Sequence, residues 1–120
     1  MRDFEKIGLD SQNAALKAIG RGSGSITAPL ATSANSPQAN TVTIPHNQNS
    51  SNVFPAVIIN ASSVYGSTRY ITLPWSTPDG RTSAGAHVDA TNIYITATSF
   101  TAGADQPALS FTYTYSILVP

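Results

Sequence analysis

The chain has 120 residues, no cysteine, and six acidic against six basic side chains. That length suits one domain, the missing thiols exclude disulfides and thiolate metal sites, and zero net charge argues against a non-specific nucleic-acid binder. No apolar run approaches the roughly 20 residues that cross a bilayer as a helix, and no apolar leader follows Met1-Arg-Asp-Phe-Glu-Lys6, so neither membrane insertion nor a signal peptide is expected.

Charge is unevenly placed. Arg2, Asp3, Glu5, Lys6, Asp10, Lys17 and Arg21 crowd the first 21 residues, and the remainder is solubilised by Ser, Thr and Asn. This divides the chain into a charged N-terminal segment with a Gly/Ser linker, residues 1–24, and a β body, residues 25–120. In the first segment Asp3 can cap a turn that carries Phe4 and Ile7 on one face. Asp10 or Ser11 can cap a second helical piece through Ala14, Ala15, Leu16, Lys17, Ala18 and Ile19, with Gly20 in a C′ position. Such a helix is too short to stand alone in water. Either it lies on its own β body, or Phe4, Ile7, Leu9, Leu16 and Ile19 attach it to another chain, or the segment is disordered. Gly20-Arg-Gly-Ser-Gly-Ser25 reads as a linker. Its glycines resemble a phosphate loop only superficially, since no strand precedes them and no Gly-Lys-Ser/Thr follows.

After Ser25 the pattern is β. Ile26, Ala28 and Leu30 alternate, Thr32 to Asn40 is a loop, and Thr41–Ile44 is a strand followed by the polar loop Pro45–Asn52. Val53–Ile59 is apolar on both faces, which predicts a central strand covered on both sides, with Pro55 at its entry. A turn at Ser62–Ser67 leads to Arg69–Trp75, where Ile71, Leu73 and Trp75 share one face and Tyr70 and Thr72 the other. Pro78-Asp79-Gly80 is a turn. Ala86–Ala90 reads as a short strand, and Asn92–Thr98 as a firmer one with Ile93, Ile95 and Ala97 inward. The last strand, Leu109–Val119, alternates Leu109, Phe111, Tyr113, Tyr115, Ile117 and Val119 with hydroxyl residues, a segregation that only a strand achieves. The expected fold is all-β: an antiparallel β-sandwich of about 6–8 strands with a short N-terminal helical segment.

Catalytic chemistry finds little support. His87 and Asp89 share a strand face, and Ser83 with them would complete a triad on paper, but no nucleophile-elbow pattern surrounds any serine. A metal would require His46 as a third ligand, and no spacing argues for it. The body offers Asp79, Asp89 and Asp105 and no Glu for paired-carboxylate chemistry. No enzyme, metal or cofactor is expected. Binding is better provided for. Tyr65, Tyr70 and Tyr94 are the aromatic candidates for glycan contact, whereas Trp75 continues the Ile71–Leu73 face and reads as core.

The ordered features Ile44-Pro45-His46, Val53-Phe-Pro-Ala-Val-Ile-Ile59, Tyr70-Ile-Thr-Leu-Pro-Trp75, Asn92-Ile-Tyr-Ile95 and the aromatic last strand resemble the small β-sandwich domains of tailed-bacteriophage structural proteins. Those domains recur in tail fibres, tail tips and head fibres, and are similar in shape to H-type lectins. The resemblance covers about residues 41–119. It departs after His46, where a short glycine-containing turn is replaced by Asn47–Asn52. It implies a virion structural protein of fibre, spike or decoration type, made in the host cytoplasm and carried on the particle. Other virion proteins would be its partners, and a trimer the favoured homo-oligomer. Independently of the resemblance, Leu118 is apolar on the hydroxyl face of the last strand, has no core role in the alternation, and is the candidate subunit contact. The alternative is a lectin-like module that recognises a host-surface glycan.

Overall fold

The computed structural model describes residues 16–120. Eight strands run in order: β1 Lys17–Ala28, β2 Gln38–Pro45, β3 Phe54–Asn60, β4 Tyr70–Thr72, β5 Trp75–Ser76, β6 Thr82–Val88, β7 Asn92–Ser99 and β8 Leu109–Val119. They form two four-stranded antiparallel sheets, β1-β8-β3-β4 and β2-β7-β6-β5. The alternation in the sequence is what closes them on each other. Ile26, Val57, Ile59, Phe111, Tyr113 and Ile117 point in from one sheet, and Ile44, Ile93, Ile95 and Ala97 from the other, into one core. The fold is an all-β sandwich. One helical turn, α1 at Ser62–Tyr65, closes at Gly66 in the left-handed conformation. Among the described residues no helix is long and apolar enough to cross a membrane.

The first correction concerns β1. Gly20–Ser25 is not a linker, because the strand runs through it, pairs with β8 from Lys17↔Val119 to Ala28↔Leu109, and bulges at Ile19. The boundary drawn at residue 24 therefore falls inside a strand. The expected helix loses its last residues, Lys17–Ile19, to β1; Leu16 before them is in no helix, and the rest lies outside the described residues. The physical reason is across the ladder. Gly20, Gly22 and Gly24 stand opposite Ile117, Tyr115 and Tyr113 on the inner face. A Cβ at Gly22 would sit 2.4 Å from the Tyr115 hydroxyl oxygen, and one at Gly24 2.5 Å from that of Tyr113. The glycines leave the space that the two tyrosine rings fill. A period-two row of glycines beside a period-two row of large rings is sheet chemistry.

The second correction concerns β3. It is central, between β8 and β4, and Pro55 lies outside the Ile58–Asn60 ladder to β4, where a missing donor is tolerated. Its outer side is not covered, however: Phe54 is 48% and Ile58 41% exposed. The strand read at Ala86–Ala90 is the longer β6, ending at Val88. Leu73-Pro74, a cis peptide, carries the chain from β4 in one sheet to β5 in the other.

Because Lys17 pairs with Val119 and Phe54 with Leu118, β1 begins at the end of the sandwich bearing the 46–53 and 89–91 loops. The 29–37, 61–69, 77–81 and 100–108 segments lie at the opposite end.

Candidate functional site

The three tyrosines selected for glycan contact stand on three different surfaces. Tyr70, 68% exposed, is on the outer face of β4, opposite Asn60. Tyr94 is on the outer face of β7, where its ring stacks on His87 with centroids 5.0 Å apart. Its hydroxyl donates to Asp89 Oδ2 at 2.6 Å. Tyr65 ends α1 and lines a pocket at the end remote from Lys17, where β1 begins.

The Tyr94 corner is an internal brace. Asp89 Oδ1 accepts from the backbone N–H of Thr91 at 2.9 Å and of Asn92 at 2.8 Å. These bonds, that of Tyr94 first, hold the Asp89 carboxyl far below the usual carboxylate range. Asp89 thus has no hydrogen bond to His87, and Ser83 lies four residues from His87 along β6, roughly 13 Å away. The paper triad is not assembled. His46 is likewise structural. It is 4% exposed. Its Nε2–H donates to the Asp89 carbonyl at 2.8 Å, and its Nδ1 accepts from the Gln48 N–H at 3.1 Å, which ties the 46–53 loop to the β6–β7 turn. Among the described residues no three His, Asp or Glu side chains converge as metal ligands.

The pocket of Tyr65 holds about 310 Å³ between Val64, Tyr65, Thr77, Pro78, Asp79, Gln106 and Leu109. Its walls are fixed by short-range bonds. Gly80, at φ 73°, permits the turn that Pro78-Asp79-Gly80 announces, and its N–H donates to the Thr77 carbonyl at 2.9 Å. Asp79 Oδ1 accepts from Thr77 Oγ1 at 2.6 Å and from the Arg81 N–H at 3.0 Å. Those two bonds, Thr77 first, lower the Asp79 pKa, so the carboxyl is ionised at neutral pH. Arg81 Nη2 reaches across to the carbonyls of Ala104 at 2.7 Å and Asp105 at 2.9 Å, joining the β5–β6 turn to the last loop. Gln106 is placed by a two-way backbone bridge with Ala31, at 2.8 and 3.0 Å. Trp75 Nε1–H donates to the Tyr65 hydroxyl at 3.3 Å, and the Arg69 guanidinium lies 5.6 Å from the Tyr65 ring centroid.

Trp75 is half-buried, edge-on to Phe111 with centroids 5.6 Å apart, and so belongs to the core. The sequence reading missed Asp79 and Gln106 as pocket residues. Asp79 was explained by its turn, and it does serve that turn. Gln106 carries no local signal, because the bridge that buries it is made to a residue 75 positions away.

Of the residues expected to attach the chain, Leu16 is 46% and Ile19 44% exposed where β1 begins; Phe4, Ile7 and Leu9 lie outside the described residues. Leu118 is half-buried on the outer face of β8, directly between Ala18 of β1 and Phe54 of β3. Comparison with protein-family models, with curated proteins and with solved structures gives no match.

Proposed function

We propose that this chain is a bacteriophage virion structural protein of fibre, spike or decoration type. Its N-terminal segment attaches it to another virion protein, and its β-sandwich is displayed outward. The resemblance of residues 41–119 motivates the setting. The observation that carries the division of labour is the polarity of the sandwich. The charged segment joins one end, and the loops that build the pocket lie at the other. An anchor and a displayed surface at opposite ends is the arrangement a projecting protein requires.

The outer face of the β1-β8-β3-β4 sheet suits a further copy of the chain. Phe54, Ala56, Ile58 and Leu118 lie beside Ser23, Ser25, Thr112, Thr114 and Ser116, and Arg21 is the single charge in these rows. Two such faces meet without like-charge repulsion beyond that arginine, and they bury apolar groups that otherwise face water. A homotrimer is the assembly the resemblance favours.

Mass spectrometry of purified particles from the source virus, with copy counting, tests the reading. The chain should appear in a multiple of three. Its absence from the particles sinks the proposal. A second reading, a carbohydrate-binding module for host-surface recognition, is favoured by one observation: Tyr65 shares its pocket with an ionised carboxylate and a buried amide.

A further inference from the structure

We infer that the pocket between Tyr65, Asp79 and Gln106 takes a single neutral sugar residue, a hexose or N-acetylhexosamine at the end of a glycan. The inference rests on the carbohydrate reading above and adds to it the site and the class of sugar.

Sugar rings present two chemistries at once, a patch of C–H groups and a fringe of hydroxyls. The pocket offers both complements. Val64, Pro78 and Leu109 supply apolar surface, and Tyr65 supplies a ring at the rim. Asp79 spends Oδ1 on Thr77 and Arg81, and Oδ2 has no partner among the described residues, so it can accept from a hydroxyl. Gln106 is 9% exposed, and its side chain makes one bond, a long one of 3.4 Å from Nε2 to the Pro107 carbonyl. Among the described residues its Oε1 and its second N–H have no partner, and they stand as an acceptor and a donor on the pocket lining. Acceptor, donor and apolar wall converge in one concavity, the usual make-up of a small-ligand site.

Volume decides how much is bound. Ligand pockets run from about 300 to 1,000 Å³, so a pocket of about 310 Å³ admits one ring and not an extended oligosaccharide. Charge decides which ring. Ionised Asp79 repels an acidic sugar, and Arg81, the basic group beside it, already donates to the Ala104 and Asp105 carbonyls. The Arg81 clamp, the Ala31–Gln106 bridge and the Trp75–Tyr65 bond hold the walls before a ligand arrives, which lowers the ordering cost of binding.

The test is a glycan array with the full chain, followed by NMR titration with methyl glycosides of glucose, galactose and N-acetylglucosamine, and with sialic acid. Neutral-terminated glycans should bind and sialylated ones should not. Amide shifts should concentrate at Tyr65, Asp79, Gln106 and Leu109, a result that depends on no variant. Gln106→Leu, which keeps the volume, and Asp79→Asn should each weaken binding about tenfold, the loss of one hydrogen bond to a buried or charged group. Tyr70→Ala and Tyr94→Ala should leave it unchanged. If Tyr70→Ala or Tyr94→Ala abolishes binding while the pocket variants retain it, this site is wrong and the carbohydrate reading survives. Preference for sialylated glycans overturns the neutral class. No shift and no array signal with any sugar defeats both the site and the carbohydrate reading.

Discussion

Phe111 and Ile95 show what one side chain contributes here. Phe111 is 2% and Ile95 0% exposed. Phe111→Ala and Ile95→Ala should each lower unfolding free energy by about 2–5 kcal/mol, the cost of lost transfer and a residual cavity. Denaturant titration reads this, and near-neutral values would mean that the inward face is misassigned. Two buried hydroxyls behave oppositely. Thr82 and Ser99 are 0% exposed, face each other across β6 and β7, and neither hydroxyl has a hydrogen-bond partner among the described residues. Thr82→Val keeps the shape and removes a desolvated polar group, so it should be neutral or stabilising by about 1 kcal/mol. A clear loss on Thr82→Val would show that the hydroxyl is satisfied after all. Asn49 sits in a polar loop, where truncation looks harmless. Its φ of 50° makes the backbone the deciding factor. Asn49→Ala should cost about 1 kcal/mol, because the left-handed region disfavours a Cβ without a polar side chain; Asn49→Gly should cost less.

At the scale of elements, the β1–β8 pair makes the sharpest prediction. Gly24→Ala puts a methyl group against the Tyr113 ring and should destabilise by about 1–3 kcal/mol through overpacking. In a Tyr113→Ala background the same change should cost far less. The double-mutant cycle must therefore show strong coupling; simple additivity would mean that the ring does not lie on the glycine. The same packing is felt in the titration of Tyr113. Burial, and secondarily the neighbouring Tyr115, raise its pKa above the ordinary value. A phenol raised on folding contributes stability that is present below its unfolded value, about 10, and is lost as pH rises through the higher folded value. Tyr113→Phe should remove that loss.

The long-range pairing also explains what could and could not be read from the sequence. β7 and β8 are legible because their period-two alternation is local. Gly20-x-Gly-x-Gly24 has the same period, but glycine carries no hydrophobic signal, and its meaning resides in Tyr113 and Tyr115 some 90 positions later. The first half of β6 escaped for a related reason: Thr82, Ser83, Ala84 and Gly85 are small or polar, yet Thr82 and Ala84 are buried. Of the pocket, Tyr65 was visible as an aromatic in a turn, whereas Gln106 owes its burial to Ala31.

For the whole molecule, the uncovered sheet face and the two-ended polarity lead to one experiment. A face four strands wide and eight residues long covers roughly 19 by 27 Å in projection, on the order of 500 Å². Stable interfaces bury about 800 Å² per partner. The sheet alone falls short, so flanking groups must join it, and exposed Tyr70 and Ile19 border the same face. A chain cut at Ser25 would forfeit Lys17–Gly24, the partner of Tyr113–Val119, and should unfold or aggregate. A chain of residues 16–120 keeps both sheets whole. That shorter chain should remain oligomeric in sedimentation, because Phe54, Ile58 and Leu118 are intact, but should fail to bind particles that lack the protein. The full chain carrying Ile58→Lys should do the reverse, sedimenting as a monomer with the proposed attachment segment present. Ile58 is already 41% exposed, so lysine there disturbs the partner and not the fold, and an unchanged melting temperature would confirm this. If residues 16–120 are monomeric, the subunit contacts lie in residues 1–15 and the sheet face is not an interface. If they still attach to particles, the anchor is a loop of the sandwich and not the charged segment.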